Sequence, residues 1–230
     1  IEDAIKSVFS QKYDLIEFII IDGGSSDGTI EAIQKYNKEI STFISEPDKG
    51  IYDAMNKGIE LSTGDIVCFL HSDDIYNSSE IIQKVSNLFI QNSNIDGVYG
   101  DMVYTSKKNL NNVVRYWKSQ SYDESLLSKG WMPPHPTLFL KRKVYERVGK
   151  FNQNFQISGD YDFILRLFLS KDINIIYLPE VLYMMRFGGA SNKSIRSLII
   201  KMREDLRALK YNNVGGLKTL IIKNFSKLNQ

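Results

Sequence analysis

Two adjacent aspartates, Asp73 and Asp74, are well suited to chemistry because they closely follow an apolar run over residues 66–70. That run predicts a buried strand, and an open α/β sheet presents its ligand-binding groups at the carboxyl ends of its strands. Two neighbouring carboxylates repel each other unless a cation or a polar ligand offsets their charge. Hard oxygen ligands suit Mg²⁺ or Mn²⁺, so the pair predicts a divalent-metal site. Alternatively, one of the two acids only caps the following helix.

Another aspartate, Asp160, stands at the start of the strongest helical pattern, within Ser158-Gly159-Asp160-Tyr161-Asp162. An aspartate fixed there can take a proton from a hydroxyl group that comes within hydrogen-bond reach. Asp162 is the alternative candidate for such a base. Arg166 lies four residues after Asp162, where a helix brings the two side chains into an ion pair. A helix cap without chemistry is the competing interpretation of Asp160.

Further polar groups follow the earlier predicted strands. Asp22 ends the apolar run over residues 15–21 and precedes a Gly-Gly turn, where the backbone can come close to a ligand. Its carboxylate can accept a hydrogen bond from a nucleobase or a ribose, or it can simply hold the turn. Asp48 and Lys49 follow the next strand at the same sheet edge, where Lys49 can meet a phosphate as a point charge.

Composition limits the classes of function. A chain of 230 residues with 43% hydrophobic content suits one sizeable α/β domain. Its formal net charge of +2 argues against bulk nucleic-acid binding. The single cysteine, Cys68, excludes an internal disulfide framework and a Cys-rich zinc site, and predicts a small buried side chain. Because no signal-peptide pattern or long apolar stretch is present, we expect a cytoplasmic protein, or one at the cytosolic face of a membrane.

Helical and strand patterns alternate through the first part of the chain. They predict helices over residues 1–11, 29–36, 50–61 and 78–91, and strands over residues 15–21, 40–45 and 66–70. This alternation favours a mostly parallel sheet with short crossovers. Later strands are predicted over residues 102–104, 113–117, 137–140, 173–177 and 181–186, and later helices over residues 141–148 and 160–170. Three prolines make residues 131–136 a rigid, irregular connection.

The chain is predicted to consist of an α/β domain over residues 1–193 and an amphipathic helical extension over residues 194–230. The apolar stripe of the extension comprises Ile195, Leu198, Ile199, Met202, Leu206 and Leu209. Its basic residues are Lys201, Arg203, Arg207 and Lys210, followed by Lys218, Lys223 and Lys227 in a second segment over residues 217–228. The extension either packs on the domain with a solvated basic face or attaches to an anionic membrane surface.

The glycine-rich segment after the first predicted strand reads Asp22-Gly23-Gly24-Ser25-Ser26-Asp27-Gly28-Thr29. Together with the Asp73-Asp74 and Asp160 segments, it makes the chain resemble family-2 glycosyltransferases of the GT-A fold, within them the bacterial enzymes with a D-G-G-S-T-D-G-T motif. The resemblance spans residues 1–190 and implies a central, mostly parallel mixed sheet flanked by helices. In that family an apolar strand that contributes nucleotide contacts precedes a helix such as residues 1–11.

The resemblance implies roles for the acids of the last two segments. Asp74 coordinates the metal, which is Mg²⁺ or Mn²⁺, and Asp73 contacts the ribose or the donor sugar. Asp160 takes the position of the catalytic base. Inverting members carry an acid and an aspartate there, and this chain has Gly159 in place of the first acid.

The resemblance also implies a nucleotide pocket formed by the earlier loops. In many relatives the first strand ends in two aspartates, and the second of them faces the base. Gly23 occupies that second position here, so Asp22 is expected to take a larger part in recognising the base. Asp48 and Lys49 belong to the loop that lines the same pocket.

Three later residues are candidates on the same basis. His135 matches a histidine before the Thr-Leu-Phe strand of many relatives, and is expected to contact the acceptor or the metal, or to be structural. Trp131 can stack on the apolar face of a hexose and so contact the acceptor. Arg186 begins a late glycine turn over residues 186–191 and is expected to contact the donor phosphates.

The implied reaction transfers a hexosyl unit from a nucleotide-diphosphate sugar, expected to be a UDP-sugar, to an acceptor hydroxyl with inversion. The expected acceptor is a glycan or a lipid-linked molecule in bacterial surface-polysaccharide assembly. One alternative is a sugar-nucleotidyltransferase, which would carry a glycine-rich loop with Arg or Lys at its first strand. The other is a non-catalytic nucleotide- or glycan-binding domain, which the joint presence of Asp73, Asp74 and Asp160 disfavours.

Overall fold

The computed structural model describes residues 1–107, 109–188 and 195–226. The predicted glycine turn beyond residue 188 and the predicted last helix beyond residue 226 lie outside this part of the chain. The helices are α1 (Glu2–Phe9), α2 (Thr29–Gln34), α3 (Ile51–Leu61), α4 (Ile81–Gln91), α5 (Ser125–Ser128), α6 (Arg142–Val148), α7 (Gly159–Leu169), α8 (Ile195–Tyr211) and α9 (Leu217–Ser226). The strands are β1 (Ile19–Asp22), β2 (Thr42–Ser45), β3 (Ile66–Cys68), β4 (Asp74–Tyr76), β5 (Gly97–Thr105), β6 (Val113–Trp117), β7 (Phe139–Lys141) and β8 (Ile175–Arg186).

These strands form two sheets. β1 and β2 pair in parallel, and the other six strands follow the order β3-β7-β5-β8-β4, with β6 paired to β5. In the larger sheet β5 and β8 run parallel, whereas the remaining pairs are antiparallel. The predicted α/β class is confirmed, but the larger sheet is more antiparallel than predicted. One reason is the short polar loop between β5 and β6, which can join only antiparallel neighbours.

Several element boundaries also differ from the sequence prediction. The strand β4 was not predicted, and it places Asp74 inside a strand instead of a loop. The two late strands are a single strand, β8, which pairs with β5 up to Tyr177 and again from Val181. Pro179 lies in the irregularity between them, where its missing N–H costs no ladder hydrogen bond. Within the proline-rich connection, His135–Thr137 forms a 3₁₀ turn.

The helix α7 lies in the core and explains why its first turn is rigid. Tyr161, Phe163, Ile164, Leu165 and Leu167 are all at most 1% exposed. A helix that is apolar on nearly every side is stable only when it is buried, so α7 has little freedom to rotate or slide. Asp160, in its first turn, inherits that fixed position.

A large cavity separates the two sheets. Its volume is about 960 Å³, and its lining includes β1 and β3 together with parts of α1 and α3. Asp22, His71 and Asp73 also line it, from the carboxyl-terminal sides of β1 and β3. Cys68, predicted to be buried, is half-buried there with its Sγ 3.4 Å from the Tyr76 hydroxyl. Within the described ranges, no helix is both long and apolar enough to cross a membrane.

Candidate active site

Asp160 and His135 form the central contact of the site. The Nδ1 atom of His135 lies 3.1 Å from Oδ2 of Asp160, and both side chains are about three-quarters buried or more, at 26% and 19% exposure. An ionised carboxylate can only accept hydrogen bonds, so Nδ1 of His135 must carry the proton in this contact. The structure therefore brings the predicted base and the predicted histidine together, and one carboxylate oxygen is fixed by the imidazole.

Tyr52, which the sequence analysis did not select, contacts the other oxygen of Asp160. Its hydroxyl lies 2.6 Å from the carbonyl oxygen of Ile157 and 3.3 Å from Oδ1 of Asp160. A phenol has one proton to donate, and the shorter contact to Ile157 takes it. Oδ1 of Asp160 therefore keeps the capacity to accept a proton from a substrate hydroxyl.

Gly159 makes the approach of Tyr52 possible. A Cβ atom at this position would lie 2.7 Å from the ring of Tyr52, which is too close for two carbon atoms. The glycine that replaces the first acid of the family pattern thus has a packing reason, since an acidic side chain there would displace the ring. The sequence alone could not show this, because Tyr52 comes 108 residues before Asp160.

His71 extends the cluster beyond His135. The two imidazole rings lie 5.7 Å apart between centroids. The pKa of His71 is lowered to about 4, mainly by burial. The neighbouring His135 also lowers it, and Asp160 raises it by a smaller amount. His71 is therefore neutral at physiological pH and leaves the negative charge of Asp160 uncompensated from its side. The sequence analysis did not select this residue as a site candidate.

Asp74 fits a metal ion by its surroundings. It is 1% exposed, and its Oδ2 atom has no hydrogen-bond partner among the residues that the structure describes. Burial raises the pKa of Asp74 to about 7, and the charge of Asp73 adds to this rise, while Arg186 opposes it. A buried carboxylate oxygen without a partner is what a Mg²⁺ or Mn²⁺ ion would satisfy. The described part of the chain contains no cluster of three or more candidate ligands, so substrate phosphates and water would complete the coordination.

Asp74 and Asp160 converge on one tyrosine. Asp74 pairs with Met185 across β4 and β8, and Met185 pairs with Tyr104 across β8 and β5, so the three lie at one level of the sheet. Burial raises the pKa of Tyr104, and the carboxylates of Asp74 and Asp160 both add to that rise, against Arg115. The predicted metal ligand and the predicted base therefore both lie near enough to Tyr104 to affect its pKa.

Arg186 ends β8 close enough to Asp74 to influence its pKa, yet its guanidinium group pairs with Asp3 in α1. A phosphate contact from Arg186 would compete with this ion pair. Asp73 is exposed beside Asp74 at the large cavity. Its exposure leaves its carboxylate available to a ligand.

Asp22 is committed to its own turn. Its Oδ2 atom accepts hydrogen bonds from the backbone of Gly24 and Ser25 and from the Ser45 hydroxyl, and Oδ1 accepts one from the Ser25 hydroxyl. Burial alone would raise the pKa of Asp22, but these hydrogen bonds outweigh it and hold the pKa below its usual range. Asp22 thus holds the turn, which was the alternative interpretation of this residue. Of its two oxygens, only Oδ1 can accept a further hydrogen bond from a ligand.

Asp48 occupies the space above Gly23. A Cβ atom at Gly23 would overlap the carboxylate of Asp48, so the acid from the second loop stands where relatives carry a side chain in the first. Oδ1 of Asp48 accepts a hydrogen bond from Gly50, at 2.8 Å. Lys49 is exposed at the same loop, and its backbone N–H donates to Asp53. The space beside Gly23 is therefore occupied by an acid, Asp48, from the second loop.

Trp131 packs within an aromatic cluster. Its ring contacts those of Tyr99, Tyr122 and Phe168, with centroids 5.4–6.0 Å apart. It remains partly exposed. A stacking role on a sugar would use that exposed part.

Helix α8 holds the loop that leads into the base, a feature that the sequence analysis missed. The carboxylate of Glu204 accepts hydrogen bonds of 2.7–2.9 Å from three successive backbone N–H groups, those of Gln156, Ile157 and Ser158. We call this arrangement the Glu204 clamp. A carboxylate that accepts several backbone N–H groups forms strong, charge-assisted hydrogen bonds. The amphipathic pattern of α8 predicted a helix, but nothing in it marked Glu204 as a tertiary contact.

The alternative base, Asp162, is engaged elsewhere. It is 2% exposed, and its two oxygens accept hydrogen bonds of 3.0 Å from Arg166 and from Asn212, which directly follows α8. The predicted ion pair with Arg166 is confirmed. Because both oxygens are held inside the protein, Asp162 is not available to a substrate, and Asp160 remains the candidate.

Comparison with known proteins identifies the class to which this fold and site belong. The family described as glycosyl transferase family 2 matches residues 1–152. The chain therefore belongs to glycosyltransferase family 2, as its motifs indicated. The match includes Asp22, Asp73, Asp74 and His135, whereas Asp160 and the C-terminal helices lie beyond it.

Curated relatives support this assignment. A protein of Mycobacterium bovis named PGL/p-HBAD biosynthesis glycosyltransferase is 25% identical over 222 residues, which are 95% of this chain and 82% of the relative. An uncharacterized glycosyltransferase of Mycobacterium tuberculosis is 30% identical over 170 residues, which are 72% of this chain and 63% of the relative.

Solved structures show the same fold. Residues 1–349 of S. aureus TarS superpose with a TM-score of 0.71 at 15% identity, over 97% of this chain and 67% of that one. The mannosyltransferase PcManGT of Pyrobaculum calidifontis, in complex with GDP-Man and Mn²⁺, gives 0.65 at 16% identity, over 98% of this chain and 65% of that one. In another TarS structure this chain spans 37% of the solved chain. The GT-A fold expected from the sequence is thereby confirmed.

Proposed function

We propose that the protein is an inverting glycosyltransferase that moves a hexosyl unit from a nucleotide-diphosphate sugar to an acceptor hydroxyl. The observation that carries the proposal is the base, Asp160, which has one oxygen held by His135 and the other without a donated proton. Asp74, which like Asp160 affects the pKa of Tyr104, has a buried oxygen that suits a metal ion. Family membership supports the transferase class.

The reaction is a single displacement. The acceptor hydroxyl gives its proton to Oδ1 of Asp160 as its oxygen bonds to the anomeric carbon of the donor. The bond between that carbon and the diphosphate oxygen breaks, and its electron pair leaves with the nucleoside diphosphate. Attack from the face opposite the leaving group inverts the configuration. His135 keeps the carboxylate turned so that Oδ1 points at the acceptor.

The donor end would depend on a divalent cation. Asp74 would hold Mg²⁺ or Mn²⁺, which would neutralise charge on the diphosphate as it leaves. Asp73 would contact the ribose or the sugar, and Asp48 with Oδ1 of Asp22 would face the nucleotide. Lys49 and Arg186 would meet phosphate, Arg186 after exchanging its pair with Asp3. The PcManGT complex with GDP-Man and Mn²⁺ supports a metal-assisted donor site on this fold.

The donor is proposed to be UDP-linked, and the acceptor to be a glycan or a lipid-linked molecule used in bacterial surface-polysaccharide assembly. A TarS structure in complex with UDP-GlcNAc supports the first point. The mycobacterial relative named for PGL/p-HBAD biosynthesis supports the second, with His135 and Trp131 near the acceptor. A lipid-linked acceptor would place the enzyme at the cytosolic face of a membrane.

The test is release of nucleoside diphosphate from a panel of UDP-, GDP- and TDP-sugars by the purified protein, with and without Mn²⁺. NMR of the anomeric proton in the product decides between inversion and retention. Release of pyrophosphate from a nucleoside triphosphate and a sugar phosphate would instead identify a sugar-nucleotidyltransferase. Nucleotide binding without turnover of any donor, with acceptors supplied, would identify a non-catalytic binding domain.

A further inference from the structure

In α9, the last helix of the described chain, polar side chains face the protein and apolar side chains face outward. It buries Thr219, Leu220 and Lys223 at 6%, 3% and 1% exposure, so that two of its three inward residues are polar. Its apolar residues Leu217, Ile221, Ile222 and Phe225 face outward at 63%, 48%, 38% and 66% exposure. A buried lysine opposite an exposed apolar face is the reverse of an ordinary surface helix. The outward face of α9 is therefore suited to contact an apolar environment and not water.

Contacts on the inward face of α9 fix the orientation of the helix. The Nζ atom of Lys223 lies 2.9 Å from Asp205 of α8 and 3.0 Å from the ring centre of Tyr161 in α7. Burial alone would raise the pKa of Asp205, but Lys223 and Lys201 hold it at about 2. Rotating α9 to bury its apolar face would break this buried ion pair, which is strongly unfavourable. The exposure of the apolar residues is thus a consequence of a specific contact.

Helix α8, which packs against α9, also exposes apolar side chains. Leu198, Ile199 and Met202 are 43–53% exposed. At about 100° per residue they fall within one sector of the helix, and Arg196, Arg203 and Lys210 fall in the sector beside it. These three cations are exposed, as is Lys218 among the apolar residues of α9. We call the seven apolar and four basic side chains the C-terminal surface.

The charges of the C-terminal surface are all positive, although α8 contains two acids. Glu204 is turned inward to the clamp, and Asp205 is 1% exposed in its ion pair. Lys201 and Arg207, which the sequence analysis assigned to the basic face, also turn away: Lys201 pairs with Asp205, and Arg207 lies over the rings of Phe155 and Tyr211. Leu209 of the predicted stripe is fully buried. The C-terminal surface therefore keeps part of the predicted one, namely Leu198, Ile199, Met202, Arg203, Lys210 and Lys218, and adds Arg196 and the apolar residues of α9.

We infer that the C-terminal surface docks on an anionic lipid bilayer. Exposed apolar side chains enter the boundary between headgroups and acyl chains, and adjacent Lys and Arg pair with anionic headgroups. A second copy of this chain fits less well, because a self-complementary contact would bring four cations toward four cations. The inference deepens the proposed function by placing the enzyme where a lipid-linked acceptor lies, and it rests on that function only for the identity of the acceptor.

The test is co-sedimentation with vesicles of phosphatidylcholine alone or mixed with phosphatidylglycerol, over a series of salt concentrations. The intact protein should sediment with the anionic vesicles at low salt and dissociate as salt rises. Ile221→Gln with Phe225→Gln should lower the partition coefficient about tenfold or more. Lys218→Gln with Arg203→Gln should lower it about fivefold per charge and flatten the salt dependence.

Matched controls come from exposed residues away from this surface. Ile90 and Leu15 are 75% and 82% exposed, and their Gln variants should bind vesicles as the wild type does. Lys38→Gln is the corresponding charge control. Circular dichroism melting should show all variants folded, because the substituted side chains face outward.

Two outcomes would overturn the inference. One is failure of the intact protein to sediment with anionic vesicles at low salt. The other is a concentration-dependent dimer in sedimentation velocity that the Ile221→Gln, Phe225→Gln variant abolishes, which would show that a second copy covers the surface. Neither outcome depends on turnover, so release of UDP from a soluble donor and acceptor reports separately on the proposed function.

Discussion

The base end of the site and the donor end are held in different ways. At the base end, two side chains contact Asp160, with His135 at one oxygen and Tyr52 by the other, and the Glu204 clamp fixes the preceding loop. At the donor end, Asp73 is exposed, and Asp74 is buried with an oxygen that has no partner in the described chain. One end is pre-organised by protein contacts, and the other awaits contacts from a ligand. The difference matches what each must do, because a base needs a fixed direction whereas a donor site must accept and release a charged nucleotide.

Replacing the base should produce the largest effect. Asp160→Asn keeps the size of the side chain and its contact with His135, but it cannot take a proton. Turnover should fall by about 10² to 10⁴, while UDP affinity measured by calorimetry stays within about twofold. Asp14→Asn, at an exposed position, is the matched control. A variant that keeps most of its turnover would show that the base lies elsewhere.

Removing the contact that directs the base should produce the next effect. His135→Leu leaves Oδ2 of Asp160 without its imidazole donor, so kcat should fall about tenfold to a hundredfold, with KM for the donor unchanged. His135→Asn should recover part of the loss, because its amide can donate to the same oxygen. A merely structural role would instead lower the melting temperature of both variants equally and leave kcat per folded molecule intact. His71→Gln, one ring further away, should have the smaller effect on kcat.

The donor end should respond to metal and to pH. The folded pKa of Asp74, about 7, lies above its ordinary value of 3.8, so the folded state holds the proton more tightly than the unfolded chain does. The free energy of unfolding therefore falls as pH rises from about 4 through about 7. Without metal, Asp74→Asn should be more stable than the wild type at about pH 8, and this difference should vanish near pH 4.

Bound metal should reverse the order of stability of the wild type and Asp74→Asn. Mn²⁺ should raise the melting temperature of the wild type near neutral pH, since an ion that binds only the folded state stabilises it. The same ion should leave Asp74→Asn unchanged and should not increase its affinity for UDP. Equal responses of the two proteins in differential scanning fluorimetry would remove Asp74 from the metal site.

The smallest effect is expected at the turn of the first strand. Gly23→Ala places a Cβ atom against the carboxylate of Asp48, which can swing away because its loop is partly exposed. UDP affinity should fall about threefold to tenfold if Asp48 contacts the nucleotide. Asp48→Asn should give a similar loss, and the double variant should lose no more than either alone. Additive losses would show that the two positions act separately.

The sequence predicted what is local and could not predict what joins distant segments. The strand end bearing Asp22 and the helix beginning near Asp160 follow from apolar periodicity and turn residues. The contact between Asp160 and His135 could be expected only from family resemblance, because helical or strand spacing does not connect them. Tyr52 and Glu204 carried no signal at all, since each is an ordinary residue of an amphipathic helix until the chain is folded.

The direction of strand pairing shows the same limit. Alternating patterns in the first part of the chain correctly indicated the parallel pair β1 and β2. The later strands pair mainly antiparallel, and β4 is too short, at three residues, to stand out from its surroundings. Its pairing with β8 is what buries Asp74, so the burial that suits this residue to the proposed metal site arises from a strand that periodicity could not detect.

The Glu204 clamp also has a consequence for how the chain folds during its synthesis. A ribosome releases the nucleotide-binding segments first, and these can collapse around their own strands before the last helices exist. The three backbone N–H groups of residues 156–158 gain their acceptor, the carboxylate of Glu204, only when α8 has left the exit tunnel and packed. Until then the nascent chain has the proposed donor site but lacks the contact that fixes the loop before the proposed base. We expect unfinished or C-terminally clipped chains to bind donor without consuming it, so that the final helices serve as a check on completeness.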